Sequence, residues 1–247
     1  MLKIKNIHLI YCIVLACFLS SCSSIYMPNV PSTPMFKKAG EVYVGGHFNA
    51  KGNISANLGA AVSDHIAVIA NGSSVNTGAN SNDYFRQWLA EGGIGYFTTI
   101  GKEKRQVLEM YAGYGVGSSK DHEQRASVYG YELVEAREMN FDKIFLQVNY
   151  SSTRKKKINI FGDKKELNYG TAIRLSRVGM KEFWLNEMVS PTEENYFIEP
   201  LFFTRMELLN GLQIQYTNGF NIGLNSNEYL KAGNSVFTLG LVYTFGK

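Results

Sequence analysis

The residues Val236-Phe-Thr-Leu-Gly-Leu-Val-Tyr-Thr-Phe245 alternate strictly. Phe237, Leu239, Leu241, Tyr243 and Phe245 share one parity, and Val236, Thr238, Gly240, Val242 and Thr244 share the other. Successive side chains of a strand point to opposite faces, so one face here is a continuous apolar and aromatic band and the other is small and partly polar. A strand with lipid on one side has this pattern.

Similar runs, bounded by turn residues, fall at 41–50, 53–62, 65–74, 86–99, 105–118, 141–152, 167–178, 196–207, 211–221 and 235–245. They predict an all-β fold: an antiparallel up-and-down transmembrane β-barrel of about ten strands, with eight or twelve also compatible. At this size the lumen is expected to be closed and filled by side chains. The segment 126–137 either extends the sixth strand or forms a hairpin above it. Mean hydropathy is -0.14. Outside the N-terminus no stretch approaches the roughly 20 apolar residues of a spanning helix, which excludes a helical bundle and leaves a barrel open.

Mid-strand charges show which face looks inward. Glu91 is out of phase with Trp88, Ala90, Ile94 and Tyr96, and Glu109 with Leu108, Met110 and Tyr114. Arg174 opposes Ile173 and Leu175, and Glu199 and Arg205 oppose Tyr196, Ile198 and Phe202. A basic side chain on the lipid face near the midplane costs about 2 to 4 kcal/mol. All five are therefore assigned to a luminal charge network of three acids and two arginines. Tyr96, Tyr114, Tyr150, Tyr169, Tyr216 and Tyr243 fall on the apolar parity, several near strand ends, as an aromatic girdle requires.

Met1–Asn6 carries two lysines, and the apolar run His8–Phe18 is followed by Leu19-Ser-Ser-Cys22. This is the layout of a secretory signal, predicted over 1–21. Leu-Ser-Ser-Cys resembles the lipobox of bacterial lipoproteins, which implies diacylglycerol and palmitate on Cys22. Cys17 is a weaker competing site. Residues 22–40 are rich in Ser and Pro and read as an extended tether ahead of a barrel domain at 41–247. Tyr26-Met-Pro-Asn29, Pro31, Pro34 and Gly40-Glu41 resemble the segment after the lipid cysteine in Bacteroidota-type outer-membrane β-barrel lipoproteins. Thr238, Gly240, Tyr243 and Phe245 likewise resemble the C-terminal barrel signal of Gram-negative outer-membrane proteins. The resemblance implies outer-membrane lipid, barrel assembly machinery and lipoprotein sorting machinery as partners. With no acidic residue before Glu41, an inner-leaflet anchor is expected.

From such an anchor, the short connections at 63–64, 101–104 and 208–210 face the periplasm. The longer ones, near 75–85, 119–140, 179–195 and 222–234, face outward. The first connection, at 51–52, and the sixth, at 153–166, break this pattern.

The 25 basic and 21 acidic residues fall to 23 against 21 without Lys3 and Lys5, which implies no nucleic-acid partner. Cys12, Cys17 and Cys22 are the three cysteines, so 41–247 can hold no disulfide or thiolate metal site. No cofactor, metal site or catalytic residue is assigned. Glu91 and Glu109, on neighbouring strands, are one candidate cation-binding pair. Gly113-Tyr-Gly-Val-Gly117 fits lumen-facing alternation better than a phosphate loop, since no helix follows. The basic run Arg154–Lys157 with Lys164 and Lys165 reads as a polar turn, and Met180–Met188 as an amphipathic turn able to dock a partner. His47, Ser119 and His122 are the residues that lipid acyl transfer would need.

The expected role is a lipid-anchored envelope barrel, structural, accessory or docking an envelope protein through its outer loops, and non-enzymatic. The alternatives are a small pore or solute-binding barrel, a soluble periplasmic lipidated ligand binder, and a lipid-modifying enzyme.

Overall fold

Ten strands pair antiparallel, each with its neighbour in sequence: β1 (Val42–Phe48), β2 (Asn53–Ala61), β3 (Ile66–Thr77), β4 (Tyr84–Ile100), β5 (Gln106–Ser127), β6 (Gly130–Thr153), β7 (Leu167–Leu185), β8 (Glu194–Leu209), β9 (Leu212–Phe220) and β10 (Ser235–Phe245). β10 pairs back onto β1 from Val42↔Phe245 to Phe48↔Leu239, and the barrel closes. This is a computed structural model, and it describes residues 24–49, 52–78, 83–101, 103–128, 130–154, 157–160, 163–209, 211–233 and 235–246. The leader expected at 1–21, and Cys22, lie outside the described residues. Among those residues there is no helix.

Burial alternates along the strands, with the apolar parity outside. Ile54, Leu58, Ile94, Leu146, Ile173, Phe202 and Leu241 are more than half exposed, as is Tyr114. Inside lie polar residues such as Asn57, Asn71, Gln87, Gln147, Asn149, Gln215 and Thr217, all buried. They share the interior with three clusters of buried apolar side chains, while the outward face is apolar along the strands.

The turns at 62–65, 101–105 and 210–211 lie at one end, hereafter the short-turn end, together with 154–166. That last connection carries a small hairpin, Ile158–Ile160 with Asp163–Lys165, which includes part of the basic run. The connections 49–52, 78–83, 128–129, 186–193 and 221–234 lie at the opposite, long-loop end.

Two expected loops are sheet instead. Within the connection expected at 119–140, β5 and β6 stay paired up to Ser127↔Gly130, so 119–125 is strand rather than loop, and from residue 130 the segment 126–137 follows the alternative in which it extends the sixth strand. The apolar alternation stops there, but the ladder continues with ion pairs in its place: Lys120 to Glu138 at 2.6 Å and Arg137 to Asp121 at 3.0 Å. The amphipathic turn expected at 180–188 is strand as far as Leu185. A hairpin turn follows at Asn186 and Glu187, which take positive φ of 51° and 65°. Phe183 is buried against Tyr229, so this face packs within the protein.

The N-terminal segment makes the largest difference. Residues 24–36, read as a tether, are extended and buried throughout, inside the barrel. Ser24 Oγ donates to the Lys231 carbonyl at the long-loop end, at 2.6 Å. At the short-turn end, Ala39 N–H bonds Asp64 and Gly40 N–H bonds the Ala61 carbonyl before β1 begins. The twelve steps from Ser24 to Phe36, at about 3.1 Å each, reach roughly 37 Å, enough to cross a hydrocarbon layer of about 25 Å. Pro28, Pro31 and Pro34 each remove a backbone donor, so the segment cannot join the wall as an eleventh strand.

Candidate functional site

The interior of the barrel is a matched pair of surfaces: an extended segment with few internal hydrogen bonds, and a wall of amides and charges that supplies them. Burying an unmatched backbone group costs about 1 to 3 kcal/mol, so such a segment is stable in a lumen only where the wall meets it.

Gln87 meets Met27 twice, accepting from its N–H at 2.8 Å and donating to its carbonyl at 2.6 Å, as a strand neighbour would. Asn57 donates to the Val30 carbonyl at 2.8 Å. Gln147 and Asn149 both donate to the Ser32 carbonyl, at 2.7 and 3.0 Å, and Ser32 Oγ bonds Asn71. Arg205 donates to the Thr33 carbonyl and hydroxyl at 2.7 and 2.8 Å. Glu109 accepts from Phe36 N–H at 3.3 Å.

The charges fall into two tiers. Toward the long-loop end, Lys143 Nζ lies 3.1 Å from both Glu91 and Glu199, and Arg174 lies 2.9 Å from Glu91. Arg174 also donates to Gln147 and stacks over Phe145 at 4.3 Å. Tyr26 of the threaded segment completes this tier. Its hydroxyl donates to Glu199 at 3.0 Å and accepts from Lys143 at 2.8 Å, while its ring meets Phe141 edge-on at 5.7 Å. Toward the short-turn end, Glu109 accepts from Tyr111 and Asn149, and Arg205 sits over the Phe203 and Tyr43 rings.

All five charges assigned to the lumen, Glu91, Glu109, Arg174, Glu199 and Arg205, are buried there. Lys143 is a sixth that sequence reasoning missed, although it is out of phase with Ile144, Leu146 and Val148 by the same rule. It balances the three acids with three bases. The Glu91/Glu109 cation pair does not form. Glu91 stands opposite Gly115 whereas Glu109 stands opposite Phe97, six residues apart along β5, or about 20 Å. Among the described residues, no cluster of His, Cys, Asp and Glu could hold a metal.

In the glycine run, Gly113 leaves room for the Phe145 ring, which a Cβ there would overlap. In the terminal strand, Thr238 and Gly240 face the lumen, while Tyr243 and Phe245 pack ring against ring 4.4 Å apart. His47 is buried opposite Ser55 and Gly240. Ser119 is buried opposite Gln87 and Met139, and His122 stacks on Tyr84 with centroids 4.6 Å apart.

No protein-family model matches the chain, and no curated protein sequence matches it. Among solved structures it is similar to the translocator domain of the autotransporter NalP from Neisseria meningitidis, at 11% identity and a TM-score of 0.40, over 82% of this chain and 86% of that one. It is also similar to a chain of the FpvAI–pyocin S2 complex (10% identity, TM-score 0.26, 87% of this chain and 42% of that one). A third is the siderophore receptor PirA from Pseudomonas aeruginosa (13% identity, TM-score 0.21, 85% of this chain and 43% of that one). At these scores the likeness is loose, and the closed ten-strand barrel is established by its own strand pairing.

Proposed function

We propose that the chain is a sealed outer-membrane barrel with a structural or accessory role, anchored by a lipidated Cys22, docking partners at its long-loop end and performing no enzymatic chemistry. One observation carries this reading: the lumen that would conduct or bind is taken up by the protein's own residues 24–36.

The outer surface supports the membrane assignment. A soluble monomer rarely exposes an apolar patch larger than a few hundred Å², and here most strands carry exposed Val, Leu, Ile, Phe or Tyr on the outer parity. Docking at the long-loop end is supported by the sheet extension there, whose turns display Val128 at 95% exposure and Val189 at 84%.

A solute-binding reading keeps one observation in its favour. A cavity of about 440 Å³ opens below the threaded segment at the short-turn end, lined by Lys37, Lys38, Glu41, Glu166, Arg205 and Glu207.

The protein purified without its lipid should require detergent to stay monomeric and should carry no ion current once reconstituted into a planar bilayer. A well-behaved monomer in plain buffer would refute the membrane assignment. Steady current from the intact protein would refute the seal.

A further inference from the structure

We infer that the threaded segment delivers Cys22 to the long-loop end of the barrel, so that its acyl chains lie in the leaflet on that side, opposite the one that the short turns and the C-terminus border. The inference rests on the reading above that Cys22 is lipidated and the barrel spans a membrane, and it departs from the inner-leaflet anchor expected from the sequence.

The path is fixed at both ends by described residues. Ser24 is held by the Lys231 carbonyl in the connection between β9 and β10. Ile25 and Tyr26 belong to an apolar cluster with Phe141, Phe183 and Leu230 near that end. The segment then descends past Gln87, Asn57, Gln147 and Arg205 to Phe36, and emerges at Lys37–Gly40 beside the turn at 62–65. Only Ser23 separates Ser24 from Cys22. Two residues span at most about 7 Å, whereas the far side of the hydrocarbon lies about 25 Å away. A lipid on Cys22 therefore cannot reach the short-turn leaflet while the segment is threaded.

In the arrangement expected from the sequence, the tether leaves its anchor and enters the first strand on the same side. Here the tether crosses first and β1 crosses back. A filled lumen also leaves no room to draw acyl chains through, so the wall has to close around residues 24–36. If the long loops face the medium, as barrels generally have it, the lipid is displayed at the cell surface.

The test places a protease site between Ser23 and Ser24 and an epitope between Ser226 and Asn227 in the same full-length chain. A second variant, Ser23→Cys, is labelled with a membrane-impermeant maleimide in case the insertion disturbs folding. In intact cells, the protease site and the introduced thiol should react whenever the epitope is reachable, to the same extent as after permeabilisation, and the cut barrel should remain in the membrane. An epitope reachable in intact cells, with the protease site and the introduced thiol protected until permeabilisation, overturns the inference and leaves the barrel reading standing. A cut barrel that dissolves without detergent overturns the barrel reading and the inference with it.

Discussion

Deleting residues 24–36, with residues 1–23 retained, should turn an electrically silent barrel into a conducting one. The wall that would then be exposed is lined by Asn57, Asn71, Gln87, Gln147, Asn149, Gln215 and Thr217. Freed of the segment, these amides and hydroxyls would bond water instead, because hydrogen-bonding groups inside a barrel need a partner of some kind. With Glu91, Glu109 and Glu199 offset by Lys143, Arg174 and Arg205, and Glu41 buried at the short-turn mouth, the open lumen should show at most a weak preference for cations over anions. Planar-bilayer recordings of the intact and deleted proteins check this. A deleted protein that is folded and inserted yet still silent would mean that side chains alone close the lumen.

Lys143→Met should be the most destabilising single substitution in the lumen, at about 3 to 5 kcal/mol, the range for removing one partner of a buried ion pair. Lys143 is fully buried and its ammonium serves Glu91, Glu199 and the Tyr26 hydroxyl together. Glu91 keeps Arg174 after the change, but among the described residues Glu199 is left with the Tyr26 hydroxyl. Adding Glu199→Gln should restore much of the loss, because the uncompensated carboxylate is then neutral, and the two changes should be strongly non-additive. The measurement is the unfolding midpoint in detergent, followed by the mobility difference between folded and heated barrel. A loss below about 1 kcal/mol, typical of an exposed pair, would contradict the buried network.

The strands were legible because lipid-facing positions must be apolar whatever the protein does, and that demand repeats with period two along every wall strand. The five charges were legible for the complementary reason. Lys143 obeyed the same rule but stood among inward aromatics, Phe141 and Phe145, which blurred the contrast between the two faces. Beyond the apolar band, the demand lapses, so residues 119–125 read as loop and 126–137 as either an extension of the sixth strand or a separate hairpin, although one ladder continues through both. What keeps them paired is contacts such as Lys120 with Glu138, which a one-dimensional pattern does not display.

The threading was not legible because a Ser- and Pro-rich extended chain has the same composition in water as in a polar lumen. What distinguishes the two is the origin of its hydrogen bonds, and here they come from residues far along the chain, as with Met27 and Gln87 or Ser32 and Gln147. A hint did exist in the wall. So many inward Asn and Gln side chains are more than a narrow barrel needs to satisfy itself.

The most direct measurement places cysteines at both ends of one such contact, Ser32→Cys with Asn71→Cys, in a chain that has no cysteine after Cys22. Ser32 and Asn71 are hydrogen-bonded through their side chains inside the lumen. After mild oxidation of the membrane-inserted protein, digestion and mass spectrometry should recover the two peptides as a linked pair. With Ser32→Cys alone, the thiol should resist maleimide until the barrel is denatured. Recovery of both peptides unlinked, with residue 32 labelled as fast as a cysteine in the 221–234 connection, would contradict the threaded barrel.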